Sequence, residues 1–125
     1  MTRRASPEDD LQRSIVDMLR KVPVRALWFH VPNGGLRAKK TAAKLVGLGV
    51  RKGVPDLVFI GFDGRAYFME LKAAKGRLTP EQKAWQDTCD ALGLPFTVIK
   101  SLDDAVVTLS AWGLIDASIL GSRAA

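Results

Sequence analysis

Between Gly53 and Lys72 the chain reads GVPDLVFIGFDGRAYFMELK, and this stretch carries carboxylates at Asp56 and Glu70 and an ammonium at Lys72. Two short β-rich runs, LVFI and AYFMEL, flank Gly61-Phe62-Asp63-Gly64, which predicts a β-hairpin. With Phe62-Asp63-Gly64 as a three-residue loop and Gly64 in the left-handed conformation, Gly61 pairs with Arg65 and Asp56 falls opposite Glu70. Directly opposed residues have Cβ atoms roughly 4.5–5.5 Å apart on one face. Lys72 follows Glu70 by two and joins that face. A loop one residue shorter or longer would send Asp56 to the other face, so the convergence depends on the turn. Gly64 favours the productive register.

Two close carboxylates resist joint ionisation unless a cation lies between them. A hard divalent ion such as Mg²⁺ meets that need with one or two protein carboxylates, and fills its remaining positions with water or phosphate oxygens. A lysine beside it orients or deprotonates a water, or offsets charge building on a phosphate. The trio therefore suits phosphodiester hydrolysis. Its bland alternative is a partly buried salt-bridge set with no catalytic task.

Pro55-Asp56 followed by Glu70-Leu71-Lys72 matches the bipartite PD-(D/E)xK nuclease signature. The chain more specifically resembles the VRR-NUC family of that superfamily, over roughly residues 6 to 112. The blocks, in order, are Glu8-x-x-Leu11-Gln12, Val31-Pro32-Asn33-Gly34-Gly35, Gly49 to Asp56, Glu70-Leu71-Lys72 and Pro80-Glu81-Gln82. That family includes the nuclease domain of the Fanconi-associated nuclease and small stand-alone phage proteins. The resemblance implies an α/β, restriction-endonuclease-like core and a Mg²⁺- or Mn²⁺-dependent DNA endonuclease. It places Asp56, Glu70 and the backbone carbonyl of Leu71 on the metal, with Glu8 approaching it directly or through water. Lys72 would position or activate the attacking water, assisted by Glu8 and Gln82 from two helices. Stand-alone members resemble Holliday-junction resolvases, and cutting a four-way junction on two strands calls for two active sites, so a homodimer is expected. The alternatives are a basic DNA-binding accessory domain without catalysis, or a flap or nick nuclease within a larger complex.

At 125 residues and 47% hydrophobic composition the chain has apolar material for one core and one domain. It has no 18-residue apolar run and no charged-then-apolar leader. Cys89 is the only cysteine, which rules out an intrachain disulfide. Together these predict a protein of the bacterial or phage-infected host cytosol, with no membrane partner. His30 is the only histidine, so a histidine cluster within one subunit is excluded; it reads as a core or rim residue. Net charge is +6, and Arg37, Lys39, Lys40, Lys44, Arg51 and Lys52 crowd just ahead of Asp56. That clustering predicts a DNA-backbone contact there. Asn33, in a loop with Gly34 and Gly35, is a further candidate for a phosphate.

The positioning elements follow from caps and periodicity. Residues 1–5 read as a disordered arm, 6–113 as the nuclease domain and 114–125 as a tail. Ser6 caps a helix with Pro7 at its first position and an apolar stripe at Leu11, Ile15, Met18, Leu19 and Val22. Glu8 in its first turn also suits the helix dipole. Val24 to Val31 is extended. Thr41 to Leu48 is a short helix whose Ala42, Leu45, Val46 and Leu48 are expected to pack inward. The hairpin is apolar on both faces, which predicts a buried sheet covered by helices. Thr79 and Gln82 form a capping box ahead of a stripe of Ala84, Trp85, Thr88, Cys89 and Leu92. Phe96 to Lys100 is a strand. Ser101 then caps a last helix carrying Leu102, Ala105, Val106, Leu109 and Trp112 toward the core. In the tail, Ile115, Ile119 and Leu120 suit the core or a partner subunit. The order of elements predicts a mixed central β-sheet flanked by helices.

Overall fold

The structure is a computed structural model that describes residues 6–32, 39–116 and 118. The arm at 1–5 lies outside the described residues, as do Ile119 and Leu120. Eight elements run in the order α1 (Pro7–Lys21), β1 (Ala26–His30), α2 (Lys39–Gly47), β2 (Leu57–Gly61), β3 (Ala66–Leu71), α3 (Pro80–Leu92), β4 (Phe96–Ile99) and α4 (Leu102–Ala111). The strands form one sheet in the order β1-β2-β3-β4. The first two pairings are antiparallel and β3–β4 is parallel, joined across the face by α3. This is the mixed α/β architecture expected from the order of elements.

The β2–β3 turn has the three-residue form. Gly61 N–H donates to the Arg65 carbonyl at 2.9 Å and Gly64 N–H to the Gly61 carbonyl at 2.9 Å. Gly64 sits at φ +78°. The Asp63 carboxylate braces the loop from inside, accepting from Arg65 N–H at 2.9 Å and from the Tyr67 hydroxyl at 2.8 Å. Those two bonds hold its pKa below the ordinary range. The register that follows runs from Ile60 opposite Ala66 to Leu57 opposite Met69. Continued by one residue, it puts Asp56 opposite Glu70.

The sheet has one stabilising face. Leu57, Phe59, Tyr67, Met69 and Leu71 are buried there against Ile15, Met18 and Leu19 of α1 and Ala105 and Leu109 of α4. The Trp112 ring lies 6.3 Å from Phe59 and 5.2 Å from Tyr67. Capping starts both helices as expected: Ser6 accepts from Asp9 N–H, and Ser101 from Asp104 N–H. Leu114 and Ile115 are buried in the same core, and Arg25 N–H donates to the Leu114 carbonyl at 2.8 Å.

The opposite face is covered only over its centre. Trp85 of α3 meets Phe68 edge-on at 5.6 Å and Cys89 is buried beside it, its thiol pKa raised by that burial. The expected α3 stripe narrows to these two: Ala84 and Thr88 are exposed and Leu92 is 67% exposed. β1 lies beyond the reach of α3, so Leu27 and Phe29, paired with Ile60 and Val58, are 68% and 44% exposed. The larger departure is α2. Ala42, Val46 and Leu48 do not pack inward, and among the described residues α2 packs against no other element. β1 and β2 are antiparallel neighbours, so their connection needs no helix crossing a sheet face, and α2 stays out in it.

Gly64 has open space where a Cβ would stand, so its replacement carries only the left-handed backbone penalty. Gly64→Ala should lower the free energy of unfolding by about 1–2 kcal/mol in urea titration, with an unchanged m-value.

Candidate active site

The hairpin ladder ends where the chemistry begins. Residue 55, opposite Leu71 in the continued register, is a proline and has no N–H to donate. The Leu71 N–H instead donates to Asp56 Oδ2 at 2.8 Å. In a strand a residue's N–H and C=O point toward the same neighbour, so the Leu71 carbonyl faces the site and meets no N–H of residue 55. Asp56 is held from its other side as well. Its backbone carbonyl accepts from Val31 N–H at 3.1 Å and from His30 Nδ1–H at 2.7 Å, which sets the histidine tautomer.

Glu70 is 3% exposed. Its Oε1 accepts from Gln82 Nε2 at 3.1 Å, and its buried Oε2 has no hydrogen-bond partner. Gln82 serves both tasks weighed from the sequence. Its Oε1 closes the capping box by accepting from Thr79 N–H at 2.9 Å, and that bond turns its amide nitrogen toward Glu70. The loop before Asp56 presses on the same helix turn. A Cβ at Gly53 (φ +80°) would stand 2.5 Å from the Glu81 carbonyl carbon and 2.8 Å from Gln82 N, so only glycine fits.

Lys72 is buried on the face of Glu70, with Nζ 4.0 Å from Glu8 Oε1 on half-exposed α1. A cleft of ≈ 260 Å³ joins Asp56, Glu70, Leu71, Lys72 and Gln82 to Glu8. Gln12 lines it too, one helical turn after Glu8; the i, i+4 spacing was the signal for it. Among the described residues no three His, Cys, Asp or Glu side chains stand together at metal-binding spacing. The acidic core of the site is thus a pair, and Glu8 sits beside Lys72.

That pair is electrostatically frustrated. Burial, then the neighbouring Asp56 carboxylate as hydrogen-bond acceptor and as like charge, push the Glu70 pKa up to about 9 against the opposing pull of Lys72. A proton shared between the carboxylates relieves this, and so does a divalent cation. Two carboxylates, one orphaned buried oxygen and a free-facing carbonyl fit a hard ion such as Mg²⁺, whose remaining positions take water or phosphate oxygen.

Of the basic residues ahead of Asp56, Lys44, Arg51 and Lys52 are exposed. The Arg51 guanidinium lies over the Trp85 ring at 4.9 Å, tying this loop to α3. Lys39 and Lys40 open α2, but their side chains lie outside the described residues, as do Asn33 and Arg37 entirely. His30 is a rim residue, but one that grips the Asp56 peptide, a role nothing local in the sequence announced.

The VRR-NUC domain family matches residues 6–103 of the chain. A solved structure titled VRR_NUC domain protein superposes with a TM-score of 0.70 at 21% identity, covering 91% of this chain and 94% of that one. Another, titled VRR_NUC domain, gives 0.57 at 20% identity, covering 83% and 97%. No curated protein matches. At these identities the structural likeness speaks for the fold alone.

Because the folded metal-free chain keeps a proton on Glu70 that the unfolded chain has lost, stability is full below the ordinary value of 4.5 and falls as pH rises toward about 9. Thermal unfolding in EDTA should show that decline, Glu70→Gln should flatten it, and Mg²⁺ should raise Tm most at the alkaline end in the unsubstituted chain only.

Proposed function

The chain belongs to the VRR-NUC family of nucleases, and on that premise we propose that it is a divalent-metal-dependent, structure-selective DNA endonuclease, cutting branched DNA such as a four-way junction as a homodimer. The observation that carries the reading is the buried Glu70 carboxylate with an orphaned oxygen, paired with Asp56 through the hairpin register and flanked by Lys72. Asp56, Glu70 and the Leu71 carbonyl would hold Mg²⁺ or Mn²⁺. When bound, the ion supplies Lewis-acid stabilisation of the charge that builds on the scissile phosphate.

The remaining work falls to the chain. Gln82 fixes the Glu70 rotamer through its bond to Oε1, so the other oxygen stays directed at the site. The Leu71 N–H fixes Asp56 in the same way. Lys72 Nζ holds the attacking water or takes its proton, and half-exposed Glu8 beside it gives that proton a route to solvent. The exposed Lys44, Arg51 and Lys52 neutralise backbone phosphate ahead of the cut, a contact that carries no sequence information. Burial of the pair excludes bulk water and strengthens each of these interactions.

Dimerisation is supported by the surface around the end of α2. Val46, Leu48 and Val50 are 57%, 72% and 50% exposed, and an apolar cluster of this kind marks an association site.

End-labelled four-way junction, flap, duplex and single-stranded DNA, incubated with Mg²⁺ or Mn²⁺, test the activity. Branched DNA should be cut in preference to duplex, and Asp56→Ala and Glu70→Ala should abolish cutting while DNA binding persists. Lys72→Ala should slow it by roughly 10²–10⁴-fold and Gln82→Ala by roughly 10–100-fold. Binding without any cleavage by the unsubstituted chain would favour an accessory domain. Light scattering should give twice the chain mass, and Leu48→Glu should give a monomer that nicks a junction on one strand instead of cutting two.

A further inference from the structure

A second groove, of ≈ 750 Å³, runs between α1 and β1. Residues of α1 spaced three and four apart line one wall, including Gln12, Arg13 and Arg20; Trp28, Phe29 and His30 line the other. It opens directly onto the catalytic cleft, because Asp9 and Gln12 line both. His30 makes a further link through its bond to the Asp56 carbonyl.

Three properties of the groove point to one occupant. Its charges balance, with Arg13 and Arg20 set against Asp9 and Asp17, which is unlike a surface built to track phosphates. Its strand wall is three consecutive ring side chains, and Phe29 is 44% exposed. β1 is also an edge strand. Odd-numbered residues bond to β2, as Val31 N–H does to Asp56, so the backbone groups of Trp28 and His30 face outward. Aromatic faces, flexible guanidiniums and unpaired backbone donors and acceptors suit nucleobases with exposed faces and edges. Bases stacked within a duplex offer neither.

We propose that this groove is a subsite for unpaired nucleotides of the DNA substrate, next to the scissile phosphate. It rests on the nuclease reading above and narrows its substrate class to branched DNA with unpaired bases beside the cut.

The test reads binding, so that it does not depend on turnover. In EDTA, Asp56→Asn should bind labelled oligothymidylate by fluorescence anisotropy. Adding Phe29→Ala should weaken that binding roughly 5- to 150-fold, while Phe29→Trp retains it. Affinity for duplex of equal length and the salt slope should both stay unchanged, because no phosphate contact is lost. An equal loss on duplex, no loss on the single strand, or a change in solution mass with Phe29→Ala would overturn the proposal, the last by assigning the groove to a second copy of the chain. If no DNA is ever cut yet this binding pattern appears, the nuclease reading fails and the subsite stands. Cleavage of branched DNA with Phe29→Ala indifferent in binding sinks only the subsite.

Discussion

The three-residue turn at Phe62-Asp63-Gly64 sets the register of β2 against β3, and most of the molecule depends on that register. Side chains alternate faces along a strand, so a slip of one residue would move Asp56 to the face of Leu57 and Phe59 and put a carboxylate into the apolar core. The turn is accordingly braced more than once. Gly64 takes the left-handed conformation, Asp63 accepts from Arg65 N–H and the Tyr67 hydroxyl, and Tyr67 is itself wedged against Trp112 in the core. The constraint that aligns the acidic pair is thereby tied to the packing of α4 on the far side of the sheet.

The two faces of the sheet divide the labour. One is closed by α1 and α4 around Phe59, Met69 and Leu71, all fully or nearly fully buried, and supplies the hydrophobic stability. The other carries Asp56, Glu70 and Lys72 at one end under the first turn of α3. A buried carboxylate with its pKa pushed to about 9 works against folding at neutral pH, a strain that the apolar face must offset. The frustration has a direction: Glu70 keeps one oxygen bonded to Gln82 and the other unpartnered, so the site is shaped for a cation before any cation arrives.

Proline at residue 55 belongs to the same logic. By withholding an N–H at the point where the ladder would continue, it ends β2, leaves the Leu71 carbonyl facing the cleft, and hands the Leu71 N–H to the Asp56 side chain. Gly53 then lets the preceding loop lie against the backbone of α3 at a distance no larger residue tolerates. A helix start, a loop and a strand end are thereby locked around one small volume.

What the sequence by itself determined was local. The hairpin register, the caps at Ser6, Thr79 and Ser101, and the stripe of α1 follow from turn chemistry and periodicity within a few residues. So does the alignment of Asp56, Glu70 and Lys72. Tertiary structure decided what lay opposite each surface. Nothing along the chain reveals that α2 meets no partner element, that Leu92 and Phe29 lie beyond a helix or sheet able to cover them, or that Leu114 and Ile115 close the core. Nor does it place His30 on the Asp56 carbonyl or Glu8 beside Lys72 instead of beside the acidic pair. A helix's apolar stripe states what it would bury, but burial requires a second surface. Which surface arrives is set by how the whole chain packs.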